Sequence, residues 1–166
     1  ATAQEATELL AEQGVEVTPH PWLENCLILN KTGNLERLDA YEQGLFYIQD
    51  PASRLMALAS GAAPGMRVLD MCAAPGGKSF AAAIQMDNQG EVISCDLHPH
   101  KKKLIQAGAD RLGLSIIKPM TADGKVRREE WVSAFDLVLV DAPCSGLGVI
   151  RKKPDIRYKD PKPLED

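Results

Sequence analysis

No apolar run in this chain approaches the roughly eighteen residues that a membrane-spanning helix requires. Its opening residues also lack the charged, apolar and small-residue order of a secretory leader. Cysteine is sparse and scattered: Cys26, Cys72, Cys95 and Cys144 are never closer than twenty-three positions. That spacing excludes CxxC redox and zinc motifs and offers no disulfide framework. His98 and His100 flank a proline without a third ligand at usable spacing, so no metal is expected and both read as polar residues at a helix start. The glycines form neither G-x-G-x-x-G nor a Walker loop, which removes the dinucleotide fingerprint and the triphosphate cradle. No internal repeat or low-complexity tract is present. The expectation is a reduced, cytoplasmic protein without membrane contact.

What is present suffices for one domain with its own core: 166 residues, 45% hydrophobic and 25% charged. The net charge of −4 is unevenly spread. Residues 1–60 carry nine acidic and three basic side chains, whereas residues 61–166 carry sixteen basic and fourteen acidic. Basic clusters stand at 98–103 (HPHKKK), 125–128 (KVRR) and 151–153 (RKK). They can face phosphates, or they can be the solvated ends of helices and loops.

Residues 3–13 predict an acidic helix stopped by Gly14, and Val15–Thr18 and Leu27–Leu29 two short strands around the Pro19-His20-Pro21 break. Asp50 predicts an N-cap, with Pro51 at the first position of a helix ending near Ser60. From there strands and helices alternate. Arg67–Met71 is a strand, followed by a helix from Lys78 to about Asp87 and a strand at Glu91–Asp96. Pro99 opens a helix with Leu104, Ile105, Gly108, Ala109 and Leu112 as its apolar stripe; Ser115–Met120 and Phe135–Asp141 are strands. Such alternation implies an α/β fold, a mainly parallel sheet with flanking helices, behind a small N-terminal α+β piece. A sheet ending on the strand that bears Asp141 would leave a central strand as an edge, so the chain reads as a fragment or as one part of an assembly. Cys72, Cys95, Trp22 and Trp131 read as packing residues, and His20 as a loop residue. Arg54 can face the ligand pocket or be an exposed helix cation.

Two turns fall at carboxyl ends of predicted strands, where an open α/β sheet binds ligands. The first, Cys72-Ala73-Ala74-Pro75-Gly76-Gly77-Lys78, joins a strand to a helix, and its glycines permit close approach to a ligand at the helix N-terminus. The next strand ends in Asp96, the position from which an acid accepts hydrogen bonds from ribose hydroxyls. Asp123, past the third strand, occupies the analogous rim. Loop, Asp96 and Asp123 together point to an adenosine-type ligand. The second turn, Asp141-Ala142-Pro143-Cys144-Ser145-Gly146, brings a carboxylate and a thiol to the same pocket.

CAAPGGK (72–78), DLHPHK (96–101) and DAPCSG (141–146), in this order, resemble the Sun/Fmu-type RNA cytosine-5 methyltransferases. GLFYIQDPAS (44–53) resembles the block preceding the first motif, and GVIRKKPDIRY (148–158) the segment after the last. The likeness runs from about residue 33 onward. It implies a Rossmann-like methyltransferase, truncated after its fourth strand, that uses S-adenosyl-L-methionine. Residues 1–40 would be the remnant of an RNA-binding-type subdomain and 41–166 an incomplete methyltransferase domain. Ala73, Ala74, Pro75, Gly76 and Gly77, with Lys78 and bordering Cys72, would hold the methionine end. Asp96 would take the ribose, Asp123 the adenine side, and Asp141 would lie near both cofactor and target base. RNA, chiefly the 16S ribosomal species, is the implied partner.

The chemistry needs help, because carbon 5 of cytosine is a weak nucleophile. A thiolate adding at carbon 6 makes carbon 5 electron-rich enough to take the methyl group from its donor, and a base then removes the carbon 5 proton so that the thiol can leave. The family's nucleophile lies in a later Thr-Cys motif, which these residues do not contain. The resemblance therefore makes Cys144 the product-releasing thiol, Asp141 the acid at ring nitrogen 3, and the chain catalytically incomplete. The alternative is an inactive cofactor- or RNA-binding module.

Overall fold

The last four strands pair side by side and all run the same way, in the order β5-β4-β3-β6. They are β3 (Arg67–Asp70), β4 (Glu91–Asp96), β5 (Ile117–Thr121) and β6 (Leu137–Leu139). The structure is a computed structural model and describes residues 3–142 and 154–158. Residues Val92 to Asp96 are all buried, as the near-continuous apolar run of a strand covered on both faces requires. β3 aligns Arg67 with Glu91 on one side and Val68 with Leu137 on the other; β4 aligns Val92 with Ile117.

One face of the sheet is covered by helices α4 (Gly77–Gln85) and α5 (Pro99–Arg111), with α3 (Pro51–Ala59) packed on α4. Val68, Val92, Ile105, Ala109, Ile117 and Leu139 form the core between them. Alanines at 81, 82 and 83, all fully buried, let α4 lie close to the strands. The other face buries Leu69, Ile93 and Cys95 against Trp131 and Phe135 of the connection before β6.

The N-terminal unit has α1 (Ala3–Glu12) and a β1–β2 hairpin, Glu16–Pro19 with Leu27–Asn30. A short helix α2 (Asp39–Glu42) closes a small core of Leu10, Val15, Leu38 and Ala40. Arg111, last residue of α5, ties this unit to the sheet domain. Its Nη1 donates to the carbonyls of Tyr41 (2.6 Å) and Phe46 (3.0 Å), and its guanidinium lies 3.7 Å from the Tyr41 ring centroid. Gly44 sits at φ +73 so close that a Cβ there would fall 1.9 Å from the Arg111 carbonyl oxygen. A groove of about 830 Å³ runs between the two parts, lined by Leu10, Leu27, Leu35, Tyr47, Gln49 and Arg54 among others.

The α/β alternation holds in order and type, and Asp50 caps α3 as expected, accepting from the Ala52 amide at 2.9 Å with Pro51 at the first helical turn. Details differ for local reasons. Leu104 is 55% exposed, because Ile105, Gly108, Ala109 and Leu112 already complete an i, i+3, i+4, i+7 stripe that Leu104 falls outside. The last strand is three residues rather than seven. Phe135 packs edge-on against Trp131 and beside the Arg67 guanidinium, and Asp136 holds the Arg67 amide with its side chain (2.7 Å). Trp22 is not a packing residue: it is 62% exposed and meets only the His20 ring edge-on among the ring contacts described. Arg54 takes neither expected place but lies beside Tyr47 in the groove.

Candidate functional site

Parallel strands bring their carboxyl ends to one edge of the sheet, and that edge is stitched across by backbone bonds. The Ala73 amide donates to Cys95 (2.8 Å), Met71 to Leu139 (3.0 Å) and Ala122 to Asp96 (3.0 Å). The segment after β3, Asp96 at the end of β4, Asp123 past β5 and Asp141 past β6 therefore border one cleft. Gly124 closes on it too, since a Cβ there would lie 3.2 Å from the Met71 methyl.

The glycine turn carries a cis Ala74–Pro75 peptide and reverses at Gly76, whose φ is +119. The Gly76 amide donates to Ala73 (2.7 Å), and α4 starts at Gly77 with no side-chain cap. With no side-chain cap among the described residues, the first amides of α4 are suited to take an anion. Glycine is obligatory at 76 for a second reason: a Cβ would sit 2.3 Å from the Phe80 ring. Phe80 is itself wedged against Gly108 of α5 and the edge of Tyr47.

Asp96 is 7% exposed, and the side-chain contacts it makes among the described residues fall on Oδ1: the His98 amide at 3.1 Å and Lys101 Nζ at 3.5 Å. Asp123 binds the Lys125 amide through Oδ1 (2.9 Å), which shapes the rim turn. Lys78, on the first turn of α4, forms an ion pair with Asp141 across the cleft. Lys78 is 18% exposed and Asp141 59%, so the pair is buried on its lysine side and open on its carboxylate side. Cys144, Ser145 and Gly146 lie outside the described residues.

Beneath the turn, Asp70 is fully buried. Its Oδ2 accepts from Ser79 Oγ (2.8 Å), which accepts from Ser94 Oγ (2.8 Å), while Oδ1 makes no close hydrogen bond among the described residues and the Cys72 amide lies beside the carboxyl. Burial pushes the Asp70 carboxyl up to about 6, against the opposing pull of the Ser79 hydroxyl and the Lys78 charge. A carboxyl raised in the fold stabilises it fully below the unfolded value of 3.8, and that stabilisation is lost as pH rises through about 6. Wild type should lose about 2 kcal/mol relative to Asp70→Asn between pH 4 and pH 7. Parallel urea-unfolding curves at the two pH values test this; a difference that stays constant would refute it.

Cys72 is half-buried, and its thiol is raised first by burial and then by the Asp70, Asp96 and Asp141 carboxylates. Burial pushes Cys95 up to about 11. Neither thiol is set up as a thiolate, consistent with packing roles. Trp131 packs under the sheet, and His98 and His100 stack at 5.6 Å on the opening turn of α5. Sequence reasoning gave no role to Gln49, Tyr47, Ser79, Ser94 and Lys101. Tyr47, Gln49 and Lys101 lie in blocks that carry the resemblance, and Ser79 and Ser94 are hydroxyls within otherwise apolar runs.

The set suits a ligand with an anionic end and a ribose: α4 amides for a carboxylate, Asp96 for a diol, and a turn with no side chain in the way. The 16S rRNA methyltransferase RsmB/F family profile matches residues 56–164. A probable ribosomal RNA small subunit methyltransferase B from Bacillus subtilis is 46% identical over 93% of this chain, which spans 34% of that relative. The chain thus spans about a third of the curated relatives it matches. The crystal structure of PH0851 superposes on 99% of the chain and shares 30% identity, with TM-score 0.89 and 38% of that protein covered. NSun6 from Pyrococcus horikoshii, crystallised with SFG, an S-adenosylmethionine analogue, matches 68% of the chain (29% of that protein) with 30% identity and TM-score 0.61. By profile, identity and strand order, this chain belongs to the RsmB/F family of S-adenosylmethionine-dependent 16S ribosomal RNA methyltransferases, with their Rossmann-like fold.

Proposed function

We propose that the chain forms the cofactor-binding part of an enzyme that methylates carbon 5 of a cytosine in 16S ribosomal RNA. Residues 1–40 are read as the remnant of an RNA-binding-type subdomain, and 41–166 as the methyltransferase part. The observation that supports this best is the Lys78–Asp141 ion pair, which joins the two sequence motifs across a single cleft.

Bound in that cleft, S-adenosylmethionine supplies a methyl group on a sulfonium. The residues of the chain do the remaining work. The turn from Cys72 to Gly77 offers backbone amides to the methionine carboxylate, and Lys78 adds a positive charge beside it. Asp96 accepts from ribose hydroxyls. Asp123 borders the adenine side. Asp141, at the more open rim, takes the Watson–Crick edge of the cytosine and handles the proton at ring nitrogen 3. Cys144 is assigned the release of product from a nucleophile that these 166 residues do not supply, since no Thr-Cys dipeptide occurs in them. A cytosine can reach this rim only if it leaves its stack, and the basic segments 98–103 and 125–128 are suited to the flanking phosphates.

The chain should bind S-adenosylhomocysteine saturably in calorimetry and yet release no tritium from 16S ribosomal RNA carrying [5-³H]cytosine. Tritium release would show that the chain holds its own nucleophile and overturn the role given to Cys144. Absence of binding by folded protein would overturn the cofactor assignment.

A further inference from the structure

A side chain far from both motifs reaches the cofactor turn. Gln49 lies on the segment entering α3, and its Nε2 donates to the Gly77 carbonyl at 3.1 Å, across 28 positions. Its Oε1 in turn accepts from the Tyr47 hydroxyl at 3.0 Å. Because Nε2 can only donate and the carbonyl can only accept, the amide has one orientation, and Tyr47 must be the donor.

The support behind this relay is stiff. Asp50 caps α3, and Pro51 holds the preceding residue extended, so the backbone at Gln49 is fixed where α3 docks on α4. The Tyr47 ring packs edge-on against Phe80 at 6.0 Å, the same ring that closes on Gly76.

The consequence follows from peptide geometry. The Gly77 carbonyl and the Lys78 amide belong to one planar group and point in opposite directions. That oxygen already accepts the helical bond of α4, and the Gln49 donor is a second hold that narrows the tilt of the plane, and with it the direction in which the Lys78 N–H leaves the uncapped start of α4. We infer that Gln49, held by Tyr47, is a positioning residue for the carboxylate end of the cofactor: it aims the α4 amides without touching the ligand. This rests on the reading that the turn takes that carboxylate.

The test compares two ligands, S-adenosylhomocysteine and 5′-methylthioadenosine, which lacks the amino-acid end, by calorimetry on the wild-type chain, Gln49→Leu and Tyr47→Phe. Wild type should prefer S-adenosylhomocysteine. Gln49→Leu should weaken that ligand about tenfold, the worth of one well-aimed hydrogen bond, and leave methylthioadenosine within about twofold. Tyr47→Phe, which keeps the ring on Phe80, should shift the same ligand in the same direction by a smaller factor. Equal weakening of both ligands would mean a merely structural role and overturn the inference, as would an unchanged preference in both variants. A wild-type chain that binds the two ligands equally, or neither, would instead overturn the reading of the turn itself.

Discussion

Gly76→Ala should cost the fold about 2–5 kcal/mol and abolish cofactor binding. Two separate penalties meet at this position. A backbone at φ +119 is strained for any residue with a Cβ, by about 1–2 kcal/mol. The added methyl would also lie 2.3 Å from the Phe80 ring, which has nowhere to retreat because Gly108 and Tyr47 hold its other sides. Overpacking of this kind costs about 1–3 kcal/mol more. Combining Gly76→Ala with Phe80→Leu should recover the second part and not the first. Gly108→Ala isolates the collision, since Gly108 has no positive φ and its Cβ would stand 2.4 Å from the same ring. Urea unfolding of the three variants beside wild type reads these directly. A Gly76→Ala chain within 1 kcal/mol of wild type would show that the turn is looser than its geometry implies.

Asp96→Ala should weaken S-adenosylhomocysteine and methylthioadenosine alike, by about a hundredfold. A carboxylate accepting from two hydroxyls makes charge-assisted bonds, together worth about 2–3 kcal/mol in a cleft where water competes poorly. The side-chain contacts it makes among the described residues sit on Oδ1, the His98 amide and the Lys101 ammonium, so the residue arrives oriented. The variant should stay folded: it gives up one backbone acceptor and a long ion pair whose lysine is partly exposed, at roughly 1 kcal/mol. Calorimetry with both ligands measures the effect. A loss of less than threefold would remove Asp96 from the site, and a loss confined to S-adenosylhomocysteine would move it to the methionine end.

The order of elements and the converging loops were legible because each signal was local. Asp50-Pro51 states a helix start, Val92 to Asp96 a buried strand, and the Pro75-Gly76-Gly77 turn a close approach. What stayed hidden depends on contacts distant in sequence. Nothing around Gln49 indicates that its amide reaches Gly77, nor around Arg111 that it stops on the carbonyls of Tyr41 and Phe46. Ser79 and Ser94 looked like chance hydroxyls until Asp70 was seen to need a donor below the turn. The start of β6 was placed too early because Phe135 is a strand-like type at the head of an apolar run, but Phe135 and Asp136 serve Trp131 and Arg67 instead. Trp22 misled because an aromatic residue carries no mark of which side it faces.

The two sides of the cleft differ in how tightly the chain commits to them. Arg67 meets Glu91 of β4 across 24 positions but Asp136, just before β6, across 69. Closing the longer loop costs about 1 kcal/mol more in chain entropy, and β6 recovers it through only three register pairs, all with β3. β4, by contrast, is laddered on both edges. Among the described residues β6 is thus laddered more weakly than β4, and hydrogen exchange should find the strand that leads to Asp141 opening before the one that ends in Asp96. The rim assigned to the base is the soft end of the molecule, and the floor assigned to the cofactor the hard one.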